Sequence, residues 1–108
     1  MKPLAFGFLI IAVLVAAPEK QKFTGVVTDS MCSSADHKSM RMGPTDAECT
    51  IACIREHGAT YVLYDGKKAY DLNNQQTPVK FAGKRVTITG TLDAKTNTIQ
   101  VDSIAPAK

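Results

Sequence analysis

The chain has 108 residues and a formal net charge of +3, too little charge for an electrostatic grip on nucleic acid or an acidic membrane. With 44% hydrophobic residues, 21% charged residues and no Trp, it has the mix of one small folded domain. That excludes a second domain, a charged disordered tail and a coiled coil.

Met1 and Lys2 precede an apolar run over 4–15 that closes on Ala16 and Ala17. A short charged start, an apolar stretch and small residues at its end describe an export signal. The run is too short to span a bilayer, which needs about 20 residues. The reading is a signal peptide over 1–17 and a single mature domain over 18–108, exported to the periplasm or beyond, with no stable membrane span after processing. Loss of Lys2 would lower the net charge from +3 to +2. A core this small calls for a staple of some kind.

From Lys22 onward the pattern becomes short β-type runs. Residues 23–28 are rich in β-branched side chains and end at the polar pair Asp29-Ser30, the mark of a first strand. Thr45-Asp46-Ala47-Glu48 reads as a capping box, and Gly58 suits a left-handed helix end. Together they predict a helix over 46–57. Asp65-Gly66 is a hairpin signal between 61–64 and 67–72. A two-residue type I′ turn there pairs Tyr64 with Lys67 and puts Tyr61, Leu63, Tyr70 and Leu72 on one face. Residues 73–82 form a connector with room for one helical turn.

In 85–92, Val86, Ile88 and Leu92 alternate with Thr87, Thr89 and Thr91, so one face is buried and one is wet. Gly90 falls in an inward slot, where a bend or bulge belongs. Residues 93–97 turn the chain into a last strand carrying Ile99, Val101 and Ile104. The fold expected is mainly β, a small five-stranded antiparallel OB-like barrel with one helix between strands 1 and 2.

All three cysteines and both histidines fall between Cys32 and His57, spaced Cys-x4-His-x11-Cys-x3-Cys-x3-His. On the predicted helix, Cys49, Cys53 and His57 form one stripe and Ala47, Ile51 and Ile54 another, roughly 125° away. The apolar stripe can sit on the barrel while the cysteine stripe faces the loop carrying Cys32 and His37. Three chemistries fit this cluster. Cys32, His37, Cys49 and Cys53 are a complete tetrahedral zinc set, and such a site would supply the missing staple. Copper(I) is the variant, because Met31, Met40 and Met42 lie beside Cys32 and His37 and soft ligands select it.

The second chemistry is a disulfide from Cys32 to Cys49 or Cys53, which leaves one thiol over. The third is a redox dithiol, although Cys-x3-Cys lacks the usual Cys-x-x-Cys spacing. Asp29 and Asp36 can serve as outer-sphere partners of His37 or as turn formers. His57 also suits a helix end through the dipole alone.

The segment Thr28-Asp29-Ser30-Met31-Cys32, then His37, then Cys49-Thr50-Ile51-Ala52-Cys53 and Tyr61-Val62-Leu63, resembles a functionally uncharacterised family of small exported bacterial domains. The closing segment over 81–92 resembles the last hairpin of an OB-type barrel. This resemblance implies an exported OB-like domain and brings no activity with it. A looser similarity is to periplasmic copper chaperones of OB type. Those use Met, His and Trp on strands, whereas these candidate ligands sit on a loop and a helix.

The function expected is a non-catalytic metal-binding module holding zinc or copper. The alternative is a disulfide-stapled OB-like domain for a protein or glycan partner in the cell envelope. Nucleic acid is not an expected partner, since stacking aromatics in a basic groove are missing. Paired carboxylates, a nucleophile elbow and a phosphate-binding glycine loop are missing too.

Overall fold

The computed structural model describes Gly7 and residues 19–108. The signal peptide expected over 1–17 lies, but for Gly7, outside them. Among the described residues there are five strands and one α-helix: β1 (Gln21–Asp29), α1 (Asp46–His57), β2 (Tyr61–Tyr64), β3 (Ala69–Leu72), β4 (Arg85–Asp93) and β5 (Thr98–Pro106). A short 3-10 turn, Thr77–Phe81, fills the connector between β3 and β4. Among the described residues, no helix is long and apolar enough to cross a membrane.

The strands form one mixed sheet in the order β1-β2-β3-β5-β4, and β4 pairs back onto β1. The expectation of a purely antiparallel sheet is corrected: β3 and β5 run parallel. The reason is arithmetic. Successive strands alternate in direction, so the third and fifth point the same way, and a ring of five must contain one such pair. This seam is thin, with only Asp71↔Thr98 and Leu72↔Ile99 in register. Side-chain amides reinforce it. Asn97 Nδ2 donates to the Ala69 carbonyl at 2.8 Å, and the Val101 amide donates to Asn73 Oδ1 at 2.8 Å.

The core is built from the inward positions of all five strands, with Val27, Leu63, Val86, Ile88 and Ile99 fully buried. Tyr61, Tyr70 and Leu72 belong to the same cluster, as the shared face required. The hairpin register differs from the type I′ expectation: Leu63 faces Tyr70 and Tyr64 faces Ala69. Asp65 causes the change by accepting the Lys67 and Lys68 amides at 2.8 and 2.9 Å, which makes a longer loop. The slip is two residues, and a side-chain period of two leaves every residue on its original face.

Gly90 stands at a register shift between β4 and β5. Gly83 is more demanding, with φ of 73° and a position where a Cβ would lie 2.7 Å from the Ala47 backbone nitrogen. The first turn of α1 therefore docks against the entrance to β4. Ala47, Ile51 and Ile54 pack on the core from that position. Gly83→Ala should cost about 1–3 kcal/mol through overpacking. Gly58→Ala, where the added Cβ meets nothing within 4 Å, should cost about 1 kcal/mol through the left-handed backbone alone. Urea midpoints of the two variants check the order.

Candidate metal centre

The centre assembles where β1 ends. Along β1, Phe23, Val27 and Asp29 fall on one face, so Asp29 continues the core-facing row beyond the apolar residues. The strand stops there because the Asp29 side chain takes over backbone bonding. Its Oδ1 accepts the Met31 and Cys32 amides, each at 3.0 Å. This Asx-type turn swings Cys32 back over the strand end, where the Thr28 hydroxyl donates to the Cys32 carbonyl at 2.9 Å.

The helix brings the second thiol. Thr45 caps α1, accepting the Glu48 amide at 3.1 Å, and its hydroxyl meets the Glu48 carboxylate at 3.2 Å. At the other end Gly58 is left-handed with φ of 67°. With both ends fixed, Cys49, Thr50 and Cys53 are the buried residues of the helix.

A carboxylate oxygen of Asp29 and the Sγ atoms of Cys32 and Cys53 all lie within 4.8 Å of one another, and all three residues are buried. This group can hold a metal ion. His37 is 3% exposed, and its Nδ1 lies 4.0 Å from Asp29 Oδ2, too far for a hydrogen bond. Both of those atoms are buried without a hydrogen-bond partner. Two orphaned polar atoms facing each other across a gap need an explanation, and an ion between them supplies one. Neighbouring ligands of a tetrahedral zinc, with bonds of about 2.0–2.3 Å, stand about 3.3–3.8 Å apart. Separations within 4.8 Å ask for a contraction of about 1 Å at most.

Cys49 is buried close by but held differently. The Met42 amide donates to its Sγ at 3.2 Å, and its own thiol points to the Met40 carbonyl at 3.4 Å. Of the four residues selected from sequence, Cys32 and Cys53 meet directly, His37 approaches through Asp29, and Cys49 is tied to the loop over 40–42. All three cysteines are free. Met31 and Met40 are exposed and Met42 is half-buried. Asp36 forms a turn, accepting the Lys38 amide at 3.0 Å. His57 is exposed at the helix end.

Sequence reasoning missed Asp29 as a donor in its own right. The signal that finds it is the spacing Asp-x-x-Cys at a strand end, where one carboxylate oxygen closes the turn and the other stays free.

A family model matches residues 53–107. The chain belongs to DUF5818, a family of proteins of unknown function. The DUF5818 match runs from Cys53 to the end of the sheet and leaves Asp29, Cys32, His37 and Cys49 outside it. No curated protein and no solved structure matches the chain.

Burial governs the thiols. Loss of solvent, then the Asp29 charge, then Cys32 and Cys49 push the Cys53 thiol up to about 11. Burial and Asp29 raise Cys32 as well. Without a cation, both remain protonated at neutral pH. An unfolded thiol ionises near 9.0, so the folded state binds more protons between that pH and about 11. Stability contributed by the neutral thiol is complete below pH ~9 and is lost as pH rises through ~11. Chelated protein should show a urea midpoint that falls across this window. Cys53→Ala should flatten the fall, and an unchanged slope would contradict the burial account.

Proposed function

We propose that this chain is a small exported metal-binding module, built on an OB-like barrel, whose centre holds zinc. The observation that carries the reading is the pair of buried, unpartnered atoms, Asp29 Oδ2 and His37 Nδ1, beside two thiols that burial keeps protonated. Zinc accepts thiolate, imidazole and carboxylate together. Copper(I) prefers thiolates and thioethers, and a carboxylate in the group favours zinc over it. Cys32, Cys53 and His37 are the ligands, with Asp29 as the fourth or as the orienting carboxylate of His37. Cys49 is the competing fourth ligand of a Cys3His set.

The role is structural or sequestering rather than catalytic. A nucleophilic cysteine needs a lowered pKa and access, while Cys53 is fully buried and raised to about 11. Export rests on the apolar run over 4–15, and mature protein is expected to start near Pro18.

The deciding experiment is elemental analysis of reduced protein with thermal melts before and after a strong chelator. One zinc per chain is expected. At a hundredfold excess over Kd, bound metal adds about 2.7 kcal/mol, a Tm difference of about 10–20 °C for a domain this size. Asp29→Asn and Cys49→Ser separate the two ligand sets, because only the true fourth ligand should lower zinc affinity strongly. An unchanged Tm with no metal detected would refute the reading.

A further inference from the structure

We propose that Cys32 and Cys53 are a redox pair, and that their closure into a disulfide and the binding of metal exclude each other. The metal half rests on the function proposed above. The pairing rests on geometry alone. The two Sγ atoms lie within 4.8 Å of each other, in two buried residues. A disulfide of about 2.05 Å requires the sulfurs to close by about 3 Å or less.

Cys49 is the wrong partner for either of them. Its sulfur is engaged by the Met42 amide and the Met40 carbonyl. Relative to Cys53 it sits at i, i+4 on one helix, where Cβ atoms stand about 5–6 Å apart, wider than a disulfide allows. The odd cysteine therefore stays outside the disulfide.

Movement has to come from the loop side, since Cys53 is set in the middle of a capped helix. Cys32 rides on the segment over 30–45, whose backbone bonds to the sheet lie only at its start, Ser30 to Thr60 and Cys32 to Asp29, with Ala35 to Cys32 and Met40 to His37 inside it. With Cys32 7% exposed and Cys53 fully buried, an oxidant gains access only when that segment opens. A metal bridging Cys32, His37 and Cys53 ties the segment to the helix and so protects the thiols.

The oxidant is a low-molecular-weight disulfide, which exchanges with protein thiolates. With oxidised glutathione, one protein thiolate attacks the glutathione disulfide, forming a mixed disulfide and releasing one glutathione. The second protein thiolate attacks that mixed disulfide and releases the other glutathione. Two electrons pass from the protein to glutathione, and the two protons of the protein thiols end on the two glutathione thiols. The resulting S–S bond has no thiolate charge left to hold an ion.

The test uses the purified full chain, reduced and then either chelated or loaded with zinc, and incubated with oxidised glutathione. Thiol counts, intact mass and peptide mapping are followed over time, with zinc release read by a chromogenic chelator. The chelated chain should become two hydrogens lighter, with one bond mapped to Cys32 and Cys53 and Cys49 still open to alkylation. Bound zinc should slow the reaction at least tenfold, and zinc release should track bond formation one to one. Cys49→Ser should form the same bond, which keeps the pairing testable if the Cys32 or Cys53 variants fold poorly. A bond involving Cys49, three persistent thiols in the chelated chain, or equal rates with and without zinc would overturn the proposal. Zinc stoichiometry of the fully reduced protein tests the metal reading separately, so a failure there is distinguishable from a failure of the pairing.

Discussion

One carboxylate organises the functional end of this molecule. Asp29 is fully buried, and burying a charge is tolerated only where partners compensate it. Its two oxygens divide that task. Oδ1 holds the turn that places Cys32, while Oδ2 is left facing His37 with no hydrogen bond. The first oxygen makes the position structural and the second makes it chemical. A residue chosen only to close the turn would not need to sit in the core-facing row of β1.

The remainder of the fold exists to present that row. The ring of strands buries Val27 two residues before Asp29, so the carboxylate starts where the apolar core stops. Helix α1 covers the same place, anchored at its first turn by the close approach at Gly83 and at its ends by Thr45 and Gly58. Its two faces are both used: Ala47, Ile51 and Ile54 lie on the core, while Cys49 and Cys53 are buried beside the loop. Such a helix has modest amphipathic character by itself, and its stability comes from packing on both sides.

Local chemistry was legible in the sequence to the extent that it was encoded locally. The bounds of α1 follow from Thr45, Glu48 and Gly58, and Gly90 marks the register shift between β4 and β5. The face shared by Tyr61, Leu63, Tyr70 and Leu72 survived a wrong turn type, because parity matters there and loop length does not. The Asp65 side chain, bonding two successive amides, was the unrecognised turn chemistry. Asp29 was harder to read. Whether an aspartate at a strand end faces water or its own core depends on what folds over it, and that cover comes from residues 32–53. The parallel seam needed no coordinates, since it follows from counting strands.

That seam has a mechanical meaning. In the order of the ring, β1 is flanked by β2 and β4, so the β3–β5 junction lies on the far side from the strand that carries Asp29. Two residue pairs and a few amide side chains hold it, against a continuous ladder between β1 and β4. Thermal breathing of the sheet will concentrate at this clasp, where strands can part and rejoin without tugging on Asp29 or Cys32. Strain released at the back of the sheet is thereby kept away from the strand end that carries Asp29.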